Sequence, residues 1–169
     1  MAILITGGAG YIGSHTCVEL LNCGYEIVVV DNLSNSSEIA IERVREITGK
    51  SFPFYNADIS DRKALEDIFE KERIDSVVHF AALKAVGESV SKPLEYYMNN
   101  ITGTLVLLDV MRKYGVKDMV CSSSATVYGI PKTVPIKEDF PLSAINPYGR
   151  TKLNTEQNLQ DLYASDNEW

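Results

Sequence analysis

Short apolar runs rich in β-branched residues alternate with longer stretches of helical period along the chain. Ile3, Leu4 and Ile5 form an uncharged run of the kind that is buried on both faces of a parallel sheet. Residues 26–30 read as a second strand. A third covers 52–56 and carries Pro53, which suits an edge, and further strands fall at 75–80 and 119–122. Helical patterns lie between them. One starts near Tyr11, with Val18, Leu20 and Leu21 apolar, and ends at Gly24. Another puts Ile41, Val44 and Ile47 on one face and stops at Gly49. A third, over about 61–72, buries Leu65, Ile68 and Phe69. A long helix runs from Pro93 to near Gly115, and the last is capped by Asn146 with Pro147 in its first position. Such alternation predicts an α/β fold with a doubly wound parallel sheet. No internal repeat, low-complexity segment or interdomain linker interrupts it.

The first strand runs into Thr6, Gly7, Gly8, Ala9, Gly10, Tyr11, Ile12 and Gly13. Gly8, Gly10 and Gly13 have G-x-G-x-x-G spacing, and Gly7, Gly10 and Gly13 give a second reading of the same turn. Missing β-carbons there permit a tight turn, close approach of a pyrophosphate to the backbone and close helix-to-strand packing. The following helix points its unpaired N–H groups and positive dipole end at the phosphates. The second strand delivers Asp31, an acceptor for adenosine ribose hydroxyls. With no Lys or Arg between Asp31 and Glu42, NAD is expected rather than NADP. The polar loop Asn32, Leu33, Ser34, Asn35 and Ser36 either contacts the adenosine half or caps the next helix. These features specify a Rossmann-type sheet in the order 3-2-1-4-5, with residues 1–169 forming one NAD-binding domain. After the fourth strand, Ala81 and Ala82 open a run of small residues against which a ligand can lie.

Composition narrows the partners. Hydrophobic residues make up 45% and charged ones 23%, an ordinary globular balance. A net charge of −7 argues against nucleic acid or an anionic membrane as the main partner. Cys17, Cys23 and Cys121 lack metal-ligand spacing and read as buried, reduced thiols. Residues 1–5 enter a strand directly and no apolar run reaches membrane-spanning length, so a cytoplasmic location is expected.

Tyr148 and Lys152 are four apart on the last helix and so share a face. A phenol titrating near 10 is a poor base at neutral pH, but a nearby ammonium and the positive ring of a bound nicotinamide both favour the phenolate. Tyr148 is therefore the candidate acid/base, with Lys152 tuning it and hydrogen-bonding the nicotinamide ribose. Ser124, just past the fifth strand, can hold the same substrate oxygen. The bland reading of its serine-rich run is a turn. His15 and His79 read as structural and no metal site is expected. Tyr96, Tyr97 and the nearby leucines read as core or as a subunit contact.

Taken together, residues 6–16, 31–33, 83–90, 92–97, 122–129 and 147–152 resemble the extended short-chain dehydrogenase/reductase family, and within it the UDP-hexose C4-epimerase branch. The glycine turn and the Tyr-Lys pair mark the superfamily; residues 83–90 are the more specific signal. The resemblance implies that Tyr11, Ile12, Asp31, Asn32, Asn35, Asp58, Ile59, Phe80, Ala81, Lys84 and Asn99 line a tightly held NAD. Ser36, Ala82, Ser122, Tyr148 and Lys152 complete the cofactor set. It also implies catalysis by Ser124, Tyr148 and Lys152, with Ser124 and Tyr148 on the substrate. Tyr148 would take the sugar 4-hydroxyl proton while C4 gives hydride to NAD. The 4-keto sugar would turn over and be reduced on its other face, interconverting UDP-glucose and UDP-galactose.

Related 4,6-dehydratases use an acidic pair where this chain has Ala125 and Thr126, which argues against dehydration. A UDP-sugar decarboxylase remains an alternative, as does a non-catalytic nucleotide-binding module. The chain is expected to stop before a sixth strand and a C-terminal substrate domain. The resemblance further implies a homodimer through helices 93–114 and 147–164.

Overall fold

Residues 2–169 are described by a computed structural model. Its sheet contains β1 (Ala2–Thr6), β2 (Glu26–Asp31), β3 (Phe54–Asn56), β4 (Ile74–His79) and β5 (Asp118–Cys121), all parallel, in the order β3-β2-β1-β4-β5. Leu4 stands beside Val28 on one side and Val77 on the other. The first three strands step outward from β1 and the last two step the other way. The order therefore reverses between β1 and β4, where open α/β sheets bind ligands beyond their carboxyl ends.

The chain divides into two compact units. The first comprises the residues up to Ala81 together with Leu105–Ser122. It holds the whole sheet, α1 (Tyr11–Asn22), α2 (Glu38–Thr48), α3 (Arg62–Lys71) and most of α4, a helix over residues 103–113. Ile5, Ile27 and Val29 pack with Cys17, Leu21, Ile41, Val44 and Phe52 on one face of the sheet. The alternate residues Leu4, Val28 and Val30 are buried as well, so these strands carry apolar side chains on both faces. Asp61 caps α3 by accepting the Ala64 amide at 3.1 Å, and Leu65, Ile68 and Phe69 are buried as expected. In α2 the buried stripe is Ile41 and Val44, whereas Ile47 is exposed. Six residues on from Ile41 the helix has rotated about 120° out of register, and half-buried Thr48 takes that face.

The second unit comprises Ala82–Thr104 and Ser123–Trp169. The run of small residues after β4 contains a short helix over 86–91 instead of a continuous loop. The long helix expected from Pro93 begins as a single α-turn over 93–97. It then passes through a turn of π-helix over 98–102 before becoming α4. A 3₁₀ turn covers residues 125–128, and the final helix, α5, runs over 147–165. This last helix packs on the 86–91 helix, the 93–97 turn, the π-turn and the 3₁₀ turn. Tyr96 is core, with 1% of its surface exposed.

The third strand is shorter than its pattern, because Phe52 and Pro53 precede the paired residues; Pro53 contributes only its carbonyl, which accepts the Val29 amide at 2.9 Å. None of the three cysteines forms a disulfide. Cys17 is buried, which pushes its thiol up from 9.0 to about 12. Cys23 departs from expectation: it lies exposed where α1 ends. Among the described residues no helix is long and apolar enough to cross a membrane, and no cluster of three or more His, Cys, Asp or Glu could hold a metal.

Candidate functional site

In the first unit the candidate residues follow the carboxyl ends of adjacent strands. The backbone turns at Gly7, with φ of +71°, and its amide donates to the Val30 carbonyl at 2.8 Å. A β-carbon at Gly7 would come within 2.6 Å of the Ala81 amide nitrogen. One at Gly13 would overlap the Gly7 carbonyl oxygen, so the lack of a side chain there lets α1 start directly against the turn. The Gly10 amide closes the turn onto the Gly7 carbonyl at 3.1 Å. No side chain caps α1 at Gly10, which leaves its first-turn N–H groups, those of Tyr11, Ile12 and Gly13, without helical partners. The side chains of Tyr11 and Ile12 are exposed.

Asp31 ends β2 and is buried. One carboxylate oxygen accepts the Ala9 amide at 2.9 Å; the other accepts the Leu33 amide at 2.9 Å and the Ser36 hydroxyl at 2.7 Å. Next to it the Asn32 amide donates to Asp58 at 2.6 Å. Burial disfavours the charged form of Asp58. Hydrogen bonds from the Ser60 hydroxyl, the Ser60 amide and Asn32 together outweigh it and hold this carboxyl below the usual range. Ile59 is buried beside it and Asn35 is exposed. Across the switch point, the Thr6 hydroxyl lies 2.6 Å from His79 Nδ1 and accepts the Ala81 amide at 3.3 Å, while Phe80 donates to the Thr6 carbonyl at 3.0 Å. Ser122 extends the ladder, its amide donating to the His79 carbonyl at 3.1 Å. Buried His79 therefore acts as a structural tie, as the sequence suggested. His15 is surface-exposed, with Nδ1 2.8 Å from the Tyr11 carbonyl.

In the second unit, Asn146 caps α5 through the Gly149 amide at 2.8 Å, and Tyr148 and Lys152 follow one turn apart. Both are buried, Lys152 to 7% exposure, which is uncommon for a lysine. The Tyr148 amide donates to the Ser89 hydroxyl at 3.2 Å, and that hydroxyl donates to the Val86 carbonyl at 2.6 Å. Ser124 caps the 3₁₀ turn, accepting the Thr126 amide at 3.2 Å and the Thr126 hydroxyl at 2.9 Å. A β-carbon at Gly149 would lie 2.9 Å from the Thr126 carbonyl oxygen. The backbone after Ser124 and the first turn of α5 thus meet at a glycine, bringing the serine turn up to the segment that carries Tyr148.

Sequence reasoning missed the tie made by Asn100, and placed Asn99 at the cofactor and Tyr96 in the core without finding their partners. Asn100, on the π-turn, is buried; its side chain accepts the Leu83 amide at 2.8 Å and donates to the Leu83 carbonyl at 2.9 Å and to the Thr151 hydroxyl at 3.1 Å. Asn99 donates to Asn100 at 2.9 Å. The Tyr96 hydroxyl bonds Ala85 and Glu88, and burial, followed by the Glu88 carboxylate, raises this phenol above its usual range. Residues 83–89, which include exposed Lys84 and half-buried Leu83, are therefore clamped at both ends. The available signal was the asparagine pair between Tyr96 and the apolar run that begins at Leu105, since a polar residue at a core position needs a partner.

This chain is 68% identical over 169 residues to a UDP-glucose 4-epimerase of Bacillus subtilis, matching 100% of this chain and 50% of that protein. It is 66% identical over 167 residues to a UDP-glucose 4-epimerase of Dictyostelium discoideum, matching 99% and 48%. The chain thus spans about half the length of the curated relatives it matches. The crystal structure of UDP-glucose 4-epimerase from Bifidobacterium longum, in complex with NAD+ and UDP, superposes with a TM-score of 0.98 at 54% identity, covering 100% of this chain and 51% of that one. Residues 4–169 match the family model described as GDP-mannose 4,6 dehydratase, and the chain belongs to that family.

Proposed function

We propose that this chain binds NAD and supplies the cofactor-binding and proton-handling residues of a UDP-hexose 4-epimerase. The observation that carries the reading is the glycine turn, where β-carbons at Gly7 and Gly13 would run into the backbone of Ala81 and of Gly7 and the first turn of α1 is left uncapped. Tyr11, Ile12 and Gly13 would hold the pyrophosphate, with Gly7 and Gly10 shaping the turn that it approaches. Asp31, Asn32, Asn35, Ser36, Asp58 and Ile59 would hold the adenosine half, and Phe80, Ala81, Ala82, Lys84, Asn99 and Ser122 the remainder. The NAD complex of the Bifidobacterium relative supports the assignment.

When bound, NAD supplies a hydride acceptor that is restored within each turnover. The chain's own residues handle the proton. Tyr148 would take it from the sugar 4-hydroxyl and give it back to that same oxygen once the 4-keto sugar has turned over, with the Lys152 ammonium one helical turn along. Both side chains are buried. Ser124 orients the reacting oxygen. Ala125 and Thr126 occupy the places where a dehydratase would need acids, and the Thr126 hydroxyl is turned onto Ser124, which favours epimerisation over elimination.

A cytoplasmic location and a homodimer through helices 93–114 and 147–164 belong to the same proposal. Leu94, Met98, Leu105 and Tyr163 are exposed apolar residues on those stretches. Sedimentation at micromolar concentration checks the dimer, and a purely monomeric chain would contradict it. The function is tested by incubating the purified chain with UDP-galactose and separating the products. UDP-glucose formed by the wild type and not by Tyr148→Phe supports the whole proposal. NAD bound without conversion favours a nucleotide-binding module.

A further inference from the structure

We infer that Asp31 is a positioning residue for the glycine turn as well as a reader of ribose hydroxyls, linking the adenosine loop mechanically to the pyrophosphate turn. The carboxylate is only 7% exposed and meets three protein donors. Two of them, the Leu33 amide and the Ser36 hydroxyl, come from the loop after β2, and the third, the Ala9 amide, comes from within the glycine turn. The backbone at Leu33 has φ of +56°, a left-handed conformation that a leucine rarely adopts unaided. The same carboxylate oxygen that receives the Leu33 amide also receives the Ser36 hydroxyl, so it ties the loop at the strained residue and again three residues on.

On the turn side, the amides of Gly7, Ala9 and Gly10 are all engaged within the protein, by the Val30 carbonyl, Asp31 and the Gly7 carbonyl. The first-turn amides of α1 then become the main donors for a pyrophosphate, and the direction of that helix is set by the turn Asp31 holds. A carboxylate offers about four acceptor positions and three are taken, which leaves one for a ribose hydroxyl. Asp31 is suited to this double role because both of its oxygens accept. An asparagine of the same shape accepts on one side only and would face one set of donors with its own N–H groups.

The ligand part of this inference rests on the NAD reading above, and the test separates the two. Wild type and Asp31→Asn are compared by calorimetry for binding NAD and an NAD analogue lacking both adenosine-ribose hydroxyls. Amide hydrogen exchange is measured on both proteins without ligand. If Asp31 holds the turn, the substitution weakens the hydroxyl-free analogue by roughly tenfold, the scale of one charge-assisted hydrogen bond. It also speeds exchange at Ala9 and Leu33 while the β1 amides of Leu4 and Ile5 stay protected, a local change that general destabilisation would not produce. An analogue affinity unchanged by the substitution, or unchanged exchange at Ala9, overturns the inference. A wild type that binds neither ligand overturns the NAD reading, and the exchange result then decides the link by itself. If Asp31→Asn does not fold, Ser36→Ala carries the same test, with faster exchange at Leu33 and Ala9 expected and unchanged exchange contradicting it.

Discussion

The hydroxyl of Ser89 receives the backbone amide of Tyr148 at 3.2 Å, although the two residues are 59 positions apart. Ser89 is fully buried and acts as a second cap for α5, satisfying an N–H that the helix itself leaves unpaired. Asn146 supplies the ordinary cap one residue further on. Ser89→Ala would remove the acceptor of the Tyr148 amide and the hydroxyl that donates to the Val86 carbonyl. A loss of about 1–3 kcal/mol in urea denaturation is expected, and an unchanged midpoint would show that Ser89 does not hold the helix.

Gly13 and Gly87 should respond oppositely to the same substitution. Gly13→Ala sets a methyl onto the Gly7 carbonyl, whereas Gly87→Ala meets nothing within 4 Å. The first is expected to abolish retention of NAD through purification, and the second to leave it intact with stability changed by no more than about 1 kcal/mol. Release of NAD on denaturation, measured for each variant, checks the pair.

Asn100→Leu keeps the volume of a buried side chain and removes every polar contact it makes. The Leu83 amide and carbonyl and the Thr151 hydroxyl would lose their partner together. Destabilisation of about 2–4 kcal/mol is expected, because each stranded buried group costs of order 1 kcal/mol or more. Chemical denaturation of wild type and variant measures it directly.

How far such residues are legible in a sequence depends on what sets their role. The sheet order and glycine turn follow from alternation and local backbone geometry, which neighbours in the chain dictate. Cap residues Asn146 and Asp61 are equally local. Ser89, Tyr96 and Asn100 act through partners brought together by the second unit, and polar contacts between segments leave no period to read. The π-turn at 98–102 hides inside a pattern of ordinary helical spacing. Ile47 is exposed because the helix turns it away from the face of Ile41 and Val44, and Cys23 is exposed because it stands at the C-cap of α1, where the buried face ends.

Cys17 provides a pH signature. Its folded value of about 12 lies above its ordinary 9.0, so the folded state keeps a proton that the unfolded chain gives up. The resulting stabilisation is complete below pH 9 and is lost as pH rises toward 12. The slope contributed is at most about 1.4 kcal/mol per pH unit. Cys17→Ala, measured by denaturation at several alkaline pH values, should flatten that decline. A disulfide-exchange reagent at neutral pH should modify exposed Cys23 quickly and spare Cys17 until the protein unfolds.

The central claim is that this chain holds NAD, and the most direct measurement is the nucleotide released from the purified, denatured protein, identified by mass spectrometry and fluorescence. Near-stoichiometric NAD is the expected result. Protein that releases none, and that takes up none when NAD is added before unfolding, would contradict the account.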